Sequence, residues 1–136
     1  MNDPAATDSA YRLIGGDAGV RRLVDRFYDR MDAEPEFAAA RKLYPAELTD
    51  SREKLYLFMC GWLGGPQLYV ERFGHPMLRA RHLPFSIGIA ERDQWMACMT
   101  LALEDLGLDA DMRAGLAQAL FQTADWMRNR QESASG

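Results

Sequence analysis

Along this 136-residue chain, apolar side chains recur every three or four positions, and no run of alternating β-branched residues stands between turn signals. Positions three and four apart share one face of an α-helix, whereas a half-buried strand needs a period of two. The pattern therefore predicts an all-α fold. Glycine and proline cut it into segments. Gly15-Gly16 closes a short first helix near Ile14, and Asp17 is the expected N-cap of the next. There Val20, Leu23, Val24, Phe27, Tyr28 and Met31 form one stripe until Pro35 stops it.

A second strong helix is expected from Thr49 or Asp50, with Glu53 available to complete a capping arrangement and with Leu55, Phe58, Met59 and Trp62 on one face. Gly64-Gly65-Pro66 ends it. Gln67 to Phe73 has room for one or two turns before Gly74-His75-Pro76, where Pro76 suits the first position of another short helix. That helix runs to about His82. Leu83 precedes Pro84, whose ring disfavours helical geometry at Leu83, so His82 is expected on the last turn with its ring free to point sideways. From Ile89, the residues Trp95, Met99, Ala102, Leu103 and Leu106 mark a long helix closed by Gly107. A last helix begins near Asp109 and stripes Met112, Leu116, Ala119, Leu120, Thr123, Trp126 and Met127 along one side. The length suits one core, so a single domain is expected over 8–128, with small polar ends at 1–7 and 129–136 that look frayed.

Sixteen Lys and Arg against twenty Asp and Glu leave a net charge of −4, which gives no electrostatic reason for a nucleic-acid partner. Arginine is nevertheless frequent between positions 72 and 92, where a local cluster can receive a ligand's carboxylates. Cys60 and Cys98 each sit within an apolar helical pattern, the setting of inert thiols in a reducing compartment. No signal-peptide pattern opens the chain and no apolar run approaches the ~20 residues that span a bilayer. A cytoplasmic protein without a membrane partner is expected.

Two histidines and two scattered cysteines cannot build a multi-ligand zinc site by the usual spacings, and no phosphate-binding glycine loop or nucleophile elbow is present. A cofactor that brings its own reactivity is the better expectation. Haem needs one strong protein ligand and an apolar slot, and His82 on a short helix edge beside large hydrophobic residues can provide them. A lone histidine near a helix C-terminus is often only a surface residue facing the helix dipole. Its neighbours favour the ligand reading: Leu78 one turn earlier, then Leu83 and Phe85, make a contact surface for a flat macrocycle, and Arg79 and Arg81 lie close in sequence. Coordination requires the other ring N–H to be held elsewhere, most simply by the Leu78 carbonyl. His75, between Gly74 and Pro76, suits a cap or an outer contact instead.

From Tyr11 to about Met127 the chain resembles the truncated haemoglobins, and among them group II. The resemblance rests on the two glycine segments and on Gly74-His75-Pro76-Met77-Leu78-Arg79-Ala80-Arg81-His82-Leu83-Pro84-Phe85, followed by Glu91-Arg92-Asp93-Gln94-Trp95. It implies a globin-like, two-over-two helical sandwich around haem b, iron protoporphyrin IX, with His82 as the proximal ligand. It further implies Tyr28 as the main hydrogen-bond donor to a bound ligand, and Tyr44 at a corner where members carry Phe or Tyr. Ser51 and Leu55 fall at the distal gate and one turn beyond. Trp95 matches the tryptophan whose indole N–H is directed at the ligand site. Lys54, Arg81 and His75 are candidate propionate partners, and Leu78, Phe85 and Phe58 candidate apolar contacts of the cofactor. Leu55 stands where some members carry glutamine, so the polar network must rest on Tyr28, Tyr44 and Trp95. Core packing is the expectation for Phe27, Phe58, Met59, Met99 and Trp126.

The function so implied is tight binding of dioxygen, with nitric oxide and carbon monoxide as further ligands and peroxide or sulfide as others. If each donor contributes ~1.5 kcal/mol, ligand escape slows about tenfold per donor. The same donors suit a nitric-oxide dioxygenase or peroxidase-like enzyme, which would need a reductase that nothing in the chain names. A cofactor-free helical sensor or interaction module is the remaining alternative, and His82 argues against it. A monomer or a weak homodimer is expected.

Overall fold

The computed structural model describes residues 9–129, and every regular element among them is helical. The ends at 1–7 and 130–136, expected to fray, lie outside the described residues. Asn129 was expected to fray with them, but its amide and backbone are hydrogen-bonded into the body of the molecule.

Helix α1 (Ala10–Ile14) and helix α2 (Gly16–Ala33) meet at a single residue, Gly15, whose φ of 112° lies in the left-handed region. Gly15 closes α1 and starts α2 at once, so the cap position expected of Asp17 is already taken by a residue without a side chain. Asp17 sits in the first turn and accepts a hydrogen bond from the Tyr11 hydroxyl. The predicted stripe of α2 is buried in full, from Val20 to Met31. A 3-10 turn (Pro35–Phe37) and helix α3 (Ala38–Arg41) follow, burying Phe37 and Ala40. Arg41 then ties the corner after α3 by donating to the carbonyls of Pro45 and Ala46, both at 2.9 Å.

Helix α4 (Thr49–Trp62) is capped differently from the expectation. The Glu47 carboxylate accepts from Thr49 N at 3.1 Å and Thr49 Oγ1 at 2.7 Å, while Glu53 is drawn to Arg21 at 3.1 Å. Its buried residues are Tyr56, Leu57, Met59 and Cys60. Of the predicted stripe only Met59 is fully buried, because Leu55 and Phe58 look into the cavity described below rather than into packed core.

Helix α5 (Leu68–Phe73) leads to helix α6 (Leu78–His82), which begins two residues after Pro76 and not at it. The interruption is Met77, left-handed at φ 48°. Leu83 also departs from expectation: it keeps helical angles of φ −57° and ψ −34° in spite of Pro84. The helix ends there for another reason. Pro84 has no N–H to return to Ala80, and the Ala80 carbonyl takes Leu83 N at 3.3 Å instead.

Helix α7 (Ile89–Asp105) starts with the Glu91 carboxylate on Gly88 N at 2.8 Å, and helix α8 (Ala110–Trp126) with the Asp109 carboxylate on Asp111 N and Met112 N. Leu120 and Met127 are buried, but Trp126, expected in the core, is 64% exposed. It ends α8, and its indole lies under the Arg79 guanidinium, 5.5 Å from the ring centre.

α2 packs on α4 and on α7, and α7 packs on α8, so two helix pairs are stacked through α2 and α7. This is the two-over-two arrangement. Phe27, Leu23, Met31, Met59, Met99 and Leu103 fill the space between them. Arg30 fixes the far end by a two-point pair to Asp105, at 2.6 and 2.8 Å. α6 buries none of its residues and packs only sparsely on the other helices. It stands over a gap. Among the described residues no helix is long and apolar enough to cross a membrane.

Candidate functional site

The gap is a cavity of about 490 Å³ bounded by residues of α2, α4, α5, α6, α7 and α8, of the corner after α3 and of the loop after α6. That volume lies within the range of pockets that enclose a cofactor. Tyr28, Tyr44, Ser51, Lys54, Leu55, Phe58, Leu78, Arg81, His82, Phe85 and Trp95 all line it. His75 does not. It is exposed, and its Nδ1 accepts a hydrogen bond from Met77 N at 3.2 Å, which makes it a cap of its own turn.

On α6, the Nδ1 of half-buried His82 lies 2.7 Å from the Leu78 carbonyl one turn earlier. A carbonyl oxygen can only accept, so Nδ1 carries the hydrogen, and in the neutral ring Nε2 keeps its lone pair. That is the tautomer a metal ligand needs. Leu78 and Phe85 stand beside it as apolar lining, and Phe85 is 45% exposed, a cost that an occupant of the cavity would remove.

Three polar aromatic groups reach the cavity from other elements. Tyr28 projects from α2, Tyr44 from the corner, and Trp95 from α7. The rings of Phe27, Tyr28, Tyr44 and Trp95 meet edge to face at centroid distances of 4.9 to 5.3 Å, which fixes their orientations. Trp95 Nε1–H donates to the Tyr44 hydroxyl at 3.1 Å. The indole hydrogen is thus given to Tyr44 rather than left directed at a ligand position. With its acceptor side occupied, Tyr44 has its own O–H to donate. Burial pushes the Tyr28 and Tyr44 phenols above their ordinary pKa, and hydrogen bonds from Trp95 and Tyr28 partly offset the rise at Tyr44. Both keep their protons at neutral pH and remain donors.

Cationic side chains stand at the rim. Lys54 is exposed, and Arg81 is steadied by donating from Nε to the Pro76 carbonyl at 2.7 Å. Arg92 also lines the cavity while pairing with Asp125 at 2.7 Å and Asp93 at 2.8 Å. Sequence reasoning assigned Arg92 no role, although it lies three residues before Trp95 and so shares its helix face. Arg79 turns the other way, donating to the carbonyls of Trp126 and Arg128.

No group of three or more His, Cys, Asp or Glu side chains that could hold a metal ion occurs among the described residues. One imidazole, an apolar slot and a cationic rim instead fit a flat, mostly apolar macrocycle that bears carboxylates and supplies its own remaining metal ligands. The fold and this donor set define a haem-binding globin.

The chain belongs to the bacterial-like globin family, whose model matches residues 9–129. It is 40% identical over 126 residues to the group 2 truncated hemoglobin YjbI of Bacillus subtilis, covering 93% of this chain and 92% of that one. It superposes on the group II 2-on-2 hemoglobin of Agrobacterium tumefaciens with a TM-score of 0.89 at 42% identity, covering 96% of this chain and all of the other. A truncated oxygen-avid haemoglobin from Bacillus subtilis superposes with a TM-score of 0.81 at 40% identity, over 89% of this chain and 99% of that one. The expected group II two-over-two globin is therefore the fold observed. Haem-based binding of a diatomic gas such as oxygen is its function.

Proposed function

We propose that the chain holds haem b through His82 Nε2 and retains dioxygen tightly beside Tyr28, Tyr44 and Trp95. The observation that carries this reading is the hydrogen-bond order in the cavity. On one helix the Leu78 carbonyl leaves a ring nitrogen of His82 free for a metal; on other elements the Trp95 indole leaves the Tyr44 O–H free for a ligand. When bound, haem would supply an iron that takes a diatomic gas and makes it electron-rich.

The side chains then have separate tasks. Leu78, Phe85 and Phe58 exclude water from the macrocycle, and Lys54 and Arg81 at the rim meet its carboxylates, with Arg92 as a third cation. Tyr44 donates to the electron-rich gas, and Trp95 and Tyr28 act through Tyr44 by polarising its hydroxyl. Ser51 and Leu55 flank that space, Leu55 adding no hydrogen bond. The oxygen-avid haemoglobin of Bacillus subtilis, similar in sequence and fold, supports this reading. Nitric oxide and carbon monoxide fit the same position. The buried thiols Cys60 and Cys98 suit a reducing cytoplasm.

The test is the rate at which oxygen leaves the haem-loaded ferrous protein, measured by rapid mixing with a competing gas. Escape slowed about tenfold for each engaged donor is expected. Release at the speed of a pocket without donors, unchanged by Tyr28→Phe and Tyr44→Phe together, would remove the proposed network. Because burial keeps both phenols protonated beside the cavity, oxidation of nitric oxide or peroxidase-like turnover is the second reading. Sustained turnover with an added reducing system favours it, and a single oxidation without cycling favours the binder.

A further inference from the structure

Helix α6 carries His82 but has no buried residue, so packing alone does not fix its place. Hydrogen bonds from the chain just beyond α8 do. Asn129 Nδ2 donates to the His82 carbonyl at 3.0 Å and to the Phe85 carbonyl at 2.7 Å. Its Oδ1 accepts from Ile87 N at 3.0 Å, and its own backbone N–H donates to the Ile87 carbonyl at 3.0 Å. One side chain thus uses both kinds of hydrogen-bonding atom on the stretch 82–87, whose middle residues Leu83 to Ser86 are exposed.

His82 is therefore held at two points. Its ring is aimed by the Leu78 carbonyl, and its backbone carbonyl is gripped by Asn129. Without that side chain, the stretch 82–87 keeps the local turn from Phe85 N to the His82 carbonyl and the Asn129 backbone N–H on the Ile87 carbonyl, both at 3.0 Å. An aspartate there would have the same shape but would face both carbonyls with an acceptor in place of donors.

We propose that Asn129 is a positioning residue for His82, setting the tilt of its imidazole toward the cavity by fixing the His82 and Phe85 carbonyls. This rests on the reading of His82 as the iron ligand. Arg79, which donates to the carbonyls of Trp126 and Arg128, joins the same helix to the same segment from the other end of α6.

The experiment uses the haem-loaded full chain with Asn129→Asp, Asn129→Ala and the milder Asn129→Ser. The iron–histidine stretching band of the deoxygenated ferrous protein is recorded by resonance Raman, and exchange of the Ile87 amide is followed alongside. Expected are a shifted or broadened band in all three variants, smallest in Asn129→Ser, and about tenfold faster Ile87 exchange in Asn129→Ala. Asn129→Asp is expected to perturb the band at least as much as Asn129→Ala, although it keeps the native shape. A band unchanged in position and width in every variant, whatever happens to melting temperature, overturns the positioning role while the ligand reading stands. A native protein without the band, or one that keeps it after His82→Gly, overturns the ligand reading and the positioning role together.

Discussion

Replacing Tyr44 with phenylalanine removes one hydroxyl from the cavity and with it the acceptor of the Trp95 indole, 3.1 Å away. If the Tyr44 O–H donates to an electron-rich ligand, the lost bond is of the charge-assisted kind, about 1.5–3 kcal/mol. Oxygen dissociation should then accelerate roughly 10- to 150-fold, since each 1.4 kcal/mol is a factor of ten. Replacing Trp95 with phenylalanine removes only the bond into Tyr44. Neighbouring bonds in a chain strengthen one another by about 10–30%, so that substitution should accelerate release by no more than about fivefold. Stopped-flow measurement on both haem-loaded variants, with carbon monoxide as trap, compares the two. If Trp95→Phe accelerates release as much as Tyr44→Phe, the indole acts on the ligand directly and the relay through Tyr44 is wrong.

Other consequences reach beyond the cavity. Hydrogen bonds from Arg30 and then Arg26 hold the Asp105 carboxyl below its usual pKa, so the pair stabilises the fold above the ordinary carboxylate range and the contribution fades as pH falls through the depressed value. Asp105→Asn should therefore cost about 1 kcal/mol near neutrality, and its thermal melts should converge on those of the native chain in acid; a difference that grows in acid contradicts this sign. At Gly19 an added Cβ would stand 1.9 Å from the Ile14 carbonyl oxygen, a backbone atom that cannot yield without moving α1. Gly19→Ala should destabilise by about 3 kcal/mol or more, and an unchanged denaturation midpoint would show that α1 is not held as described. Burial pushes the Cys98 thiol up to about 12 and raises Cys60 as well, so both should resist a disulfide reagent at pH 8 until denaturant opens the fold. Rapid labelling of the native chain would contradict the burial.

Much of the fold was legible because it is written in helical period. Val20 to Met31 spell a stripe that the structure buries without exception, and Gly15-Gly16 mark the break between α1 and α2. Capping was harder to read, since it depends on which carboxylate is nearest in space. Glu53 lies at the right spacing for a cap but is claimed by Arg21 from another helix. Proline misled twice. Pro76 stands before a left-handed Met77 and not inside α6, and Pro84 ends the helix through its missing N–H without displacing Leu83 from helical angles. Trp126 reads as core by its period, yet position at a helix end leaves it exposed.

In the cavity, the line from Tyr28 through Trp95 was visible in order and type, and the Leu78 carbonyl could be named because residues four apart on a helix are neighbours. What no local pattern could supply was contact between distant segments. The indole of Trp95 meeting Tyr44 across 51 positions depends on the fold closing. So does Asn129 reaching back to His82 across 47, from an end whose composition suggests fraying. His75 and Arg79 illustrate the converse, since both stand near His82 in sequence and are turned to other partners.

The central claim is tested most directly at residue 82. His82→Gly, loaded with haem and titrated with free imidazole, should lose its native axial ligation and regain a five-coordinate ferrous histidine-like spectrum only as imidazole is added. A variant whose absorption and resonance Raman spectra match the native protein with no imidazole present would show that another residue holds the iron.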